Sequence, residues 1–490
     1  MKTARYFQYG DASVLRIDDV DALGSLRRRV SGAVLTAADA EYDDARAGFQ
    51  TARSHSPAVL VAAASVDDIR QAVEFAKEQG LPVGVQGTGH ALAATAQTGG
   101  VLVATRGMAG VGIDAHTRTA RVQAGAEWTA VIAQAARAGL APLSGWAPHV
   151  GAVSYTLGGG IGPLSRRYGY AADHVRAVNV VTADARNLTV TADIEPELFW
   201  AVRGARDNFG IASWIDIDLM PVTRLYGGGL FFPPKLTATA LEAYREWAAT
   251  VPDEVTSSLA LISFPDVGAV PEPLRGRRIV QLRIAVMAET GRDNRILADG
   301  ERLVAPLRSI GPALIDTLGP MPFTEIYNEP AVPAGPSHSS TALLRTIDAA
   351  AIRTFADAAE GTLPHVIELR PLGGALAREP EPGNAIGHRD AAWLLVLASR
   401  LDRGVPLQDI QHAHDDLLAT LSPWTRGGRM LNFLIGHGDA ALVREAYDPD
   451  DWAKLTALKA HWDRGNTFRL NHNIPPALGV ASADMRVDEP

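Results

Sequence analysis

Over the first 220 positions, short apolar runs alternate with stripes at helical spacing. Residues 59–63 form an uninterrupted apolar run of strand length. Ser65 follows, with Asp68 three positions on, the spacing of a capping box. Ile69, Ala72, Val73 and Ala76 then recur as one helix face, and Gly80 suits the position just past the last turn. Residues 81–85 are the next predicted strand. The pattern returns downstream, with a strand at 120–124, a helical stripe through Trp128, Val131, Ile132 and Ala135, a stop at Gly139, and a further strand predicted over 140–143. Residues 175–182 and 187–192 predict two strands joined by a turn at 183–186. Residues 211–219 alternate apolar and polar, as a half-buried strand does, and Pro221 closes them. Strands interleaved with helices predict an α+β or α/β chain rather than a bundle.

The texture changes near residue 222. Helical patterns at 237–250 and 346–360 are longer, strands are predicted at 278–287 and 393–398, and the Pro/Gly-rich stretch 330–338 reads as a loop. A last helical pattern over 440–470 ends at Gly465-Asn466. With 490 residues, the chain has room for two to four domains at roughly 100–200 residues each.

Composition narrows the function. Apolar residues make up 47%, enough for a sizeable core. The net charge of −9 has no basic tail behind it, so no nucleic-acid partner is expected. Residues 1–30 carry charges throughout and lack an apolar core segment, so no signal peptide is expected. No apolar run approaches the ~18 residues of a membrane span, and a soluble, cytoplasmic protein is expected. Cysteine is absent, which excludes disulfides, thiolate metal sites and cysteinyl cofactor links. No histidine cluster, phosphate-loop lysine motif or nucleophile elbow is present, so neither a metal site nor those hydrolases are expected.

Two glycine-dense segments carry chemistry. The first, GVQGTGHA over 84–91, directly follows a predicted strand. It reads equally as a cradle for phosphate or as a glycine-rich connection. The second, GAVSYTLGGGIGPLSRRYG over 151–169, joins a dense glycine turn to Arg166 and Arg167, a combination suited to a pyrophosphate but also to a structural hairpin. DNFGI at 207–211 and NHNIP at 471–475 say nothing alone.

Taken in order, these segments resemble the berberine bridge enzyme-like branch of the vanillyl-alcohol oxidase/p-cresol methylhydroxylase superfamily of flavoproteins. The likeness spans about 50–222 and 430–476, and the middle more loosely. It implies an α+β, two-part FAD-binding domain of the p-cresol methylhydroxylase type, over 1–222 and 430–490, with an inserted α+β substrate domain over 223–429. It implies FAD contacts from Gln86, Gly87, Thr88, Gly89, His90 and Ala91. A second set is Pro148, Val150, Gly151, Tyr155, Gly158, Gly159, Gly160 and Gly162. Asp173, His174, Val175, Gly210, Ile211 and Asn471 complete it. His90 matches the residue that carries the flavin through an 8α-histidyl bond. Ala147 stands where relatives place the second, cysteinyl link, so single attachment is implied. Val150 matches the position that gates oxygen, and its small side chain favours an oxidase.

The family's catalytic tyrosine is missing, because its motif reads Met430-Leu431-Asn432-Phe433 here. Glu368 and Arg370 alternate on one predicted strand and so share a face, which fits either a proton acceptor with a guanidinium neighbour or a structural ion pair. Tyr155, Tyr327 and Asn432 are the other catalytic candidates, and His388 is read as structural. The resemblance implies an FAD-dependent oxidase that removes a hydride from a small, secondary-metabolite-like substrate and returns the electrons to O2 as H2O2. An oxygenase or dehydrogenase, and a flavin-binding protein without turnover, are the alternatives. Small-molecule substrate and O2 are the expected partners, with the oligomeric state left open.

Overall fold

The computed structural model describes residues 20–91, 98–287, 295–327, 333–435 and 440–477. Three sheets organise them. The first places Ala33–Leu35, Val59–Ala62, Val101–Ala104 and Val83–Gln86 side by side, the last three parallel. Helix Val66–Gln79 makes the crossover between Val59–Ala62 and Val83–Gln86. Ser65 caps it, accepting from the Asp68 amide at 3.2 Å. The expected reciprocal half of the capping box is different. The Asp68 carboxylate accepts from Ala64, Ser31 and Gly32 at 2.8, 2.8 and 3.0 Å, tying the preceding loop to the helix start rather than closing on Ser65.

The second sheet is antiparallel, in the order Val111–Asp114, Thr119–Gln123, Ile211–Asp218, Val175–Val181, Asn187–Val190. Ile211–Asp218 alternates buried and half-buried positions, as its pattern predicts. Residues 140–143 do not form the expected strand. Ala141 makes an isolated bridge to Met220, and Pro142 has no amide with which to extend it.

The third sheet holds eight strands, all from 224–400. Arg278–Val286, Val255–Ser263, Val366–Pro371 and Trp393–Arg400 are consecutive neighbours in its centre. Helices Thr237–Ala248, Ile296–Arg308, Ala349–Glu360 and Leu407–Thr420 belong to the same stretch. The α+β expectation is met. One apolar core runs from the second sheet through Val153 and Leu157 into the third sheet, without a break at residue 222. The loop expected over 330–338 lies partly outside the described residues, and Ser337 already begins strand Ser337–Leu344. The tail forms two helices instead of one, Ala440–Arg444 and Pro449–Trp462, the second started by a proline that needs no amide there. Beyond it, the Val83 amide donates to Thr467 O at 2.9 Å, so the C-terminal segment returns to the first sheet. Among the described residues no helix is long and apolar enough to cross a membrane.

Candidate active site

A cavity of about 520 Å³ opens where the three sheets meet. The 86–91 loop enters it from the end of strand Val83–Gln86. Gln86 anchors the loop by donating from Nε2 to the carbonyls of Arg46 and Ala47, at 3.2 and 3.1 Å. The carbonyls of Thr88 and Gly89 accept from Phe49 and Gln50, at 3.0 Å each. In a trans peptide the amide lies opposite the carbonyl, so the amides of Gly89 and His90 face away from those partners. Gly89 has φ +73°, and a Cβ there would lie 2.6 Å from Gly48 Cα, so only glycine fits this turn.

His90 is clamped within that loop. The Thr88 hydroxyl accepts from the Gly151 amide at 3.1 Å and lies 2.8 Å from His90 Nδ1. Nδ1 and the hydroxyl share one hydrogen bond, which fixes the orientation of the ring. Phe49 stacks on the ring at 4.0 Å, and His149 lies 5.0 Å away. Burial, with the neighbouring His149 adding to it, holds the His90 pKa down to about 3. A neutral imidazole is the form that can bond to carbon.

The opposite wall comes from the third sheet. Glu368 Oε2 accepts from Arg370 Nη2 at 2.8 Å, with side-chain exposures of 9% and 12%. Burial alone would push the Glu368 carboxyl up, but Arg370 and Arg283 outweigh it and hold the group below its ordinary range. It is a carboxylate at neutral pH. Tyr327 Oη lies 2.6 Å from Ser144 Oγ, and burial raises the pKa values of both Tyr327 and Tyr155. Asn432 is fully engaged. Its Oδ1 accepts from Arg206 and its Nδ2 donates to Tyr155 O at 2.9 Å, so it positions its neighbours. Asn471 Nδ2 donates to Asp207 at 3.1 Å.

The wall fits a bound FAD. The residues of His90 Nε2, Tyr155 Oη, Glu368 Oε1 and Asn471 Oδ1 all line the cavity, and these buried atoms have no hydrogen-bond partner among the described residues. Polar atoms left so would cost about 1–3 kcal/mol each, which a polar ligand relieves.

The structure gathers Gln86, Gly87, Thr88, Gly89, His90, Ala91, Pro148, Val150, Gly151, Tyr155 and Asn471 around this cavity, together with Tyr327, Glu368, Arg370 and Asn432. It places the other expected contacts away from the described wall. Gly158 packs against Asn432 and Arg206, Gly159 against Ile386, and Gly160 against the Tyr155 ring. A Cβ on Gly162 would lie 1.7 Å from Ser144 O, so that glycine serves a backbone crossing. Asp173 is buried in an ion pair with Arg389 at 2.7 Å and accepts from Asn384 at the same distance. His174 bonds to Asp218 and Tyr168 O, Val175 begins a strand, and Gly210 and Ile211 pack beside Val181. His388 also lies elsewhere, bonded to Asp448, Glu445 O and Arg426. Sequence reasoning missed Phe49, His149, Arg206 and Arg283. Arg283 had a signal, as a cation between Leu282 and Ile284 in a predicted strand.

Several known proteins are similar to this chain. The FAD binding domain family model matches residues 57–191. The (R)-6-hydroxynicotine oxidase of Paenarthrobacter nicotinovorans is 27% identical over 468 residues, 91% of this chain and 97% of the relative. The crystal structure of 6-hydroxy-D-nicotine oxidase from Arthrobacter nicotinovorans superposes with a TM-score of 0.78 at 25% identity, covering 91% of this chain and 98% of that one. The chain is an FAD-linked oxidoreductase, similar along most of its length to members of the vanillyl-alcohol oxidase/p-cresol methylhydroxylase superfamily. The berberine bridge enzyme-like fold of this superfamily extends to Physcomitrella patens BBE-like 1, with a TM-score of 0.77 at 18% identity over 91% of this chain and 97% of that one.

Proposed function

We propose that this FAD-linked oxidoreductase is an oxidase of a small organic substrate, bearing its flavin on His90. The observation that carries the reading is a single cavity that sets the His90 loop across from the Glu368–Arg370 pair. Gln86 to Ala91, Val150, Gly151 and Asn471 would hold FAD, with one 8α-histidyl bond at His90 and no cysteinyl bond, since Ala147 occupies that place. FAD bound there supplies a two-electron acceptor for hydride and a route for those electrons to O2.

The chain's own residues do the rest. Segment 223–429 acts as the substrate domain and supplies Glu368, Arg370 and Tyr327. Glu368 takes the proton from an O–H or N–H on the carbon being oxidised, a role that positioned carboxylates fill. Arg370 holds Glu368 in place, and Tyr327, kept neutral by burial, orients a polar group on the substrate. Tyr155, also neutral, offers to the same space a hydroxyl that has no hydrogen-bond partner among the described residues. Asn432 and Arg206 fix the Tyr155 backbone from behind. Overall, the substrate loses a C–H hydride and one proton, becoming a carbonyl or imine, and O2 becomes H2O2. The half-buried Val150 beside Pro148 and Gly151 leaves room for O2.

Acid denaturation of the purified yellow protein, followed by peptide mass analysis, tests the reading. Flavin retained on a peptide containing His90, with H2O2 formed during substrate screening, is the expected result. Release of all flavin would overturn covalent attachment. Label from isotopic O2 entering the product would overturn the oxidase in favour of an oxygenase.

A further inference from the structure

We propose that Asp207 is a positioning residue. It holds the Asn471 side chain turned so that its amide oxygen faces the cavity and accepts from the N3–H of the bound flavin ring. This rests on the placement of Asn471 in the FAD site above.

Two motifs that are silent alone meet here. Asp207 and Asn471 lie 264 positions apart, yet the DNFGI and NHNIP segments clasp each other. Asn208 Nδ2 donates to His472 O at 3.0 Å, and Asn208 Oδ1 accepts from the Ile474 amide at 2.8 Å. These two bonds straddle Asn473 and fix the backbone of the late segment. Asn208 is itself held, by donating to Ala205 O at 2.9 Å and by the donation of Lys459 Nζ to its carbonyl. Both ends of the Asn208 amide are thus spent within the protein.

Asp207 does the other half. Its Oδ2 accepts from Asn471 Nδ2 at 3.1 Å, and both residues line the cavity. A carboxylate offers acceptors only, so turning the Asn471 amide over would set oxygen against oxygen. Burial raises the Asp207 pKa, but the bond from Asn471 and the charges of Arg206 and Lys459 oppose the rise and favour the carboxylate.

The polarity that results is specific. Asn471 Oδ1 is buried and has no hydrogen-bond partner among the described residues, which is unfavourable until a donor arrives. An oxidised flavin ring carries one N–H, at N3. The contacts around the clasp point to that ring. Arg206, next to Asp207 in the chain, donates to Asn432, which in turn donates to Tyr155 O, so the clasp joins the wall that bears the candidate substrate contacts. An acceptor held on N3–H stabilises the protonated nitrogen, and its ionisation moves to higher pH.

Spectrophotometric pH titration of the flavin in the purified holoenzyme reads the N3 ionisation without any turnover. N471L, which removes the acceptor, should lower the midpoint by about 0.5–1 pH unit, as expected for one hydrogen bond. D207A, which frees the amide, should show part of that fall. D207N should stay nearer the wild type, because its amide oxygen can still accept from Asn471 Nδ2. Adding D207A to N471L should move the midpoint no further. Loss of the Asp207 charge acting through space would instead lower D207A and D207N alike, and would persist in the N471L background; that pattern would overturn the proposal. So would a D207A protein that melts earlier while its flavin titrates as in wild type. If D207A does not fold, D207N carries the comparison, and a fall as large as that of N471L counts against the proposal. A midpoint unmoved by N471L would remove Asn471 from the flavin ring altogether, whereas a shift in N471L with none in D207A would sink only the role of Asp207.

Discussion

Lys459 and Asp463 form an ion pair of 2.7 Å with both side chains wholly buried, one turn apart at the end of helix Pro449–Trp462. Lys459 Nζ also donates to the carbonyls of Asn208 and Phe468, and Asp463 accepts from the amides of Thr467 and Phe468 at 2.7 and 2.9 Å. The pair thus fastens the DNFGI turn to the C-terminal segment that brings Asn471 to the cavity. Replacing Lys459 by Met would leave the Asp463 charge buried and unpaired, at a cost of about 3–5 kcal/mol. The double variant K459M/D463N should lose less, because no unpaired charge is left buried and the amide oxygen still accepts from one of the two backbone amides. Urea unfolding compares them; equal stability of K459M and wild type would show that the pair holds nothing.

Much of this arrangement was legible in the chain. Strands 59–62, 175–181 and 211–218 follow directly from apolar runs and alternation, because local burial sets both. The glycine loop at 84–91 and the ordered motifs identified the family. Other features were not legible, because long-range packing decides them. Nothing near Asp68 announces that its carboxylate will reach back to Ser31 and Gly32. Phe49 and His149 meet His90 from loops that share no pattern with it. Nor does the second glycine motif announce that a Cβ on Gly162 would meet Ser144 O, a backbone crossing that only the folded chain creates. Pro142 broke an expected strand through one missing amide.

His90 tests the attachment. H90A should still fold, since its ring lies against Phe49 and His149 at the cavity wall rather than in the core. Its acid precipitate should be colourless, against a yellow wild-type pellet. If flavin binds this variant at all, the non-covalent contacts from Gln86 to Gly89 suffice for binding, and loss of the bond should lower the flavin potential. A yellow H90A pellet would place the link on another residue.

Glu368 should set the acid limb of the pH profile. Its base form exists above its folded pKa, which Arg370 and Arg283 hold below the ordinary glutamate range. The kcat/KM profile, which reports the free enzyme, should therefore stay flat from neutrality down to that range. E368Q should lower kcat by about 10²- to 10⁴-fold, with E368D retaining part of the activity. R370Q leaves burial less opposed, so the acid limb should move up in pH. An unmoved limb in R370Q would mean that another group titrates.

His174, just before strand Val175–Val181, and Asp218, at the end of strand Ile211–Asp218, lie 3.4 Å apart and make stability depend on pH. Burial lowers the His174 pKa, but the Asp218 carboxylate and the Tyr168 carbonyl outweigh it and raise the value overall. A raised folded pKa means that protonated His174 stabilises the fold fully below its unfolded value, ~6.5, and that this contribution fades as pH rises through the folded value. Asp218 acts in the opposite sense. Burial raises it, but His174 and Arg176 hold it lower, so its contribution is present above ~3.9 and is lost as pH falls through the folded value. The pair therefore stabilises most between those two unfolded values. With both side chains a quarter or so exposed, solvent screening keeps the effect to about 1 kcal/mol or less. H174Q should lower the melting temperature at pH 6, and the gap to wild type should narrow as pH rises through the folded pKa of His174. A deficit that persists unchanged at pH 9 would assign His174 a packing role, through its 2.7 Å bond to Tyr168 O, in place of the electrostatic one.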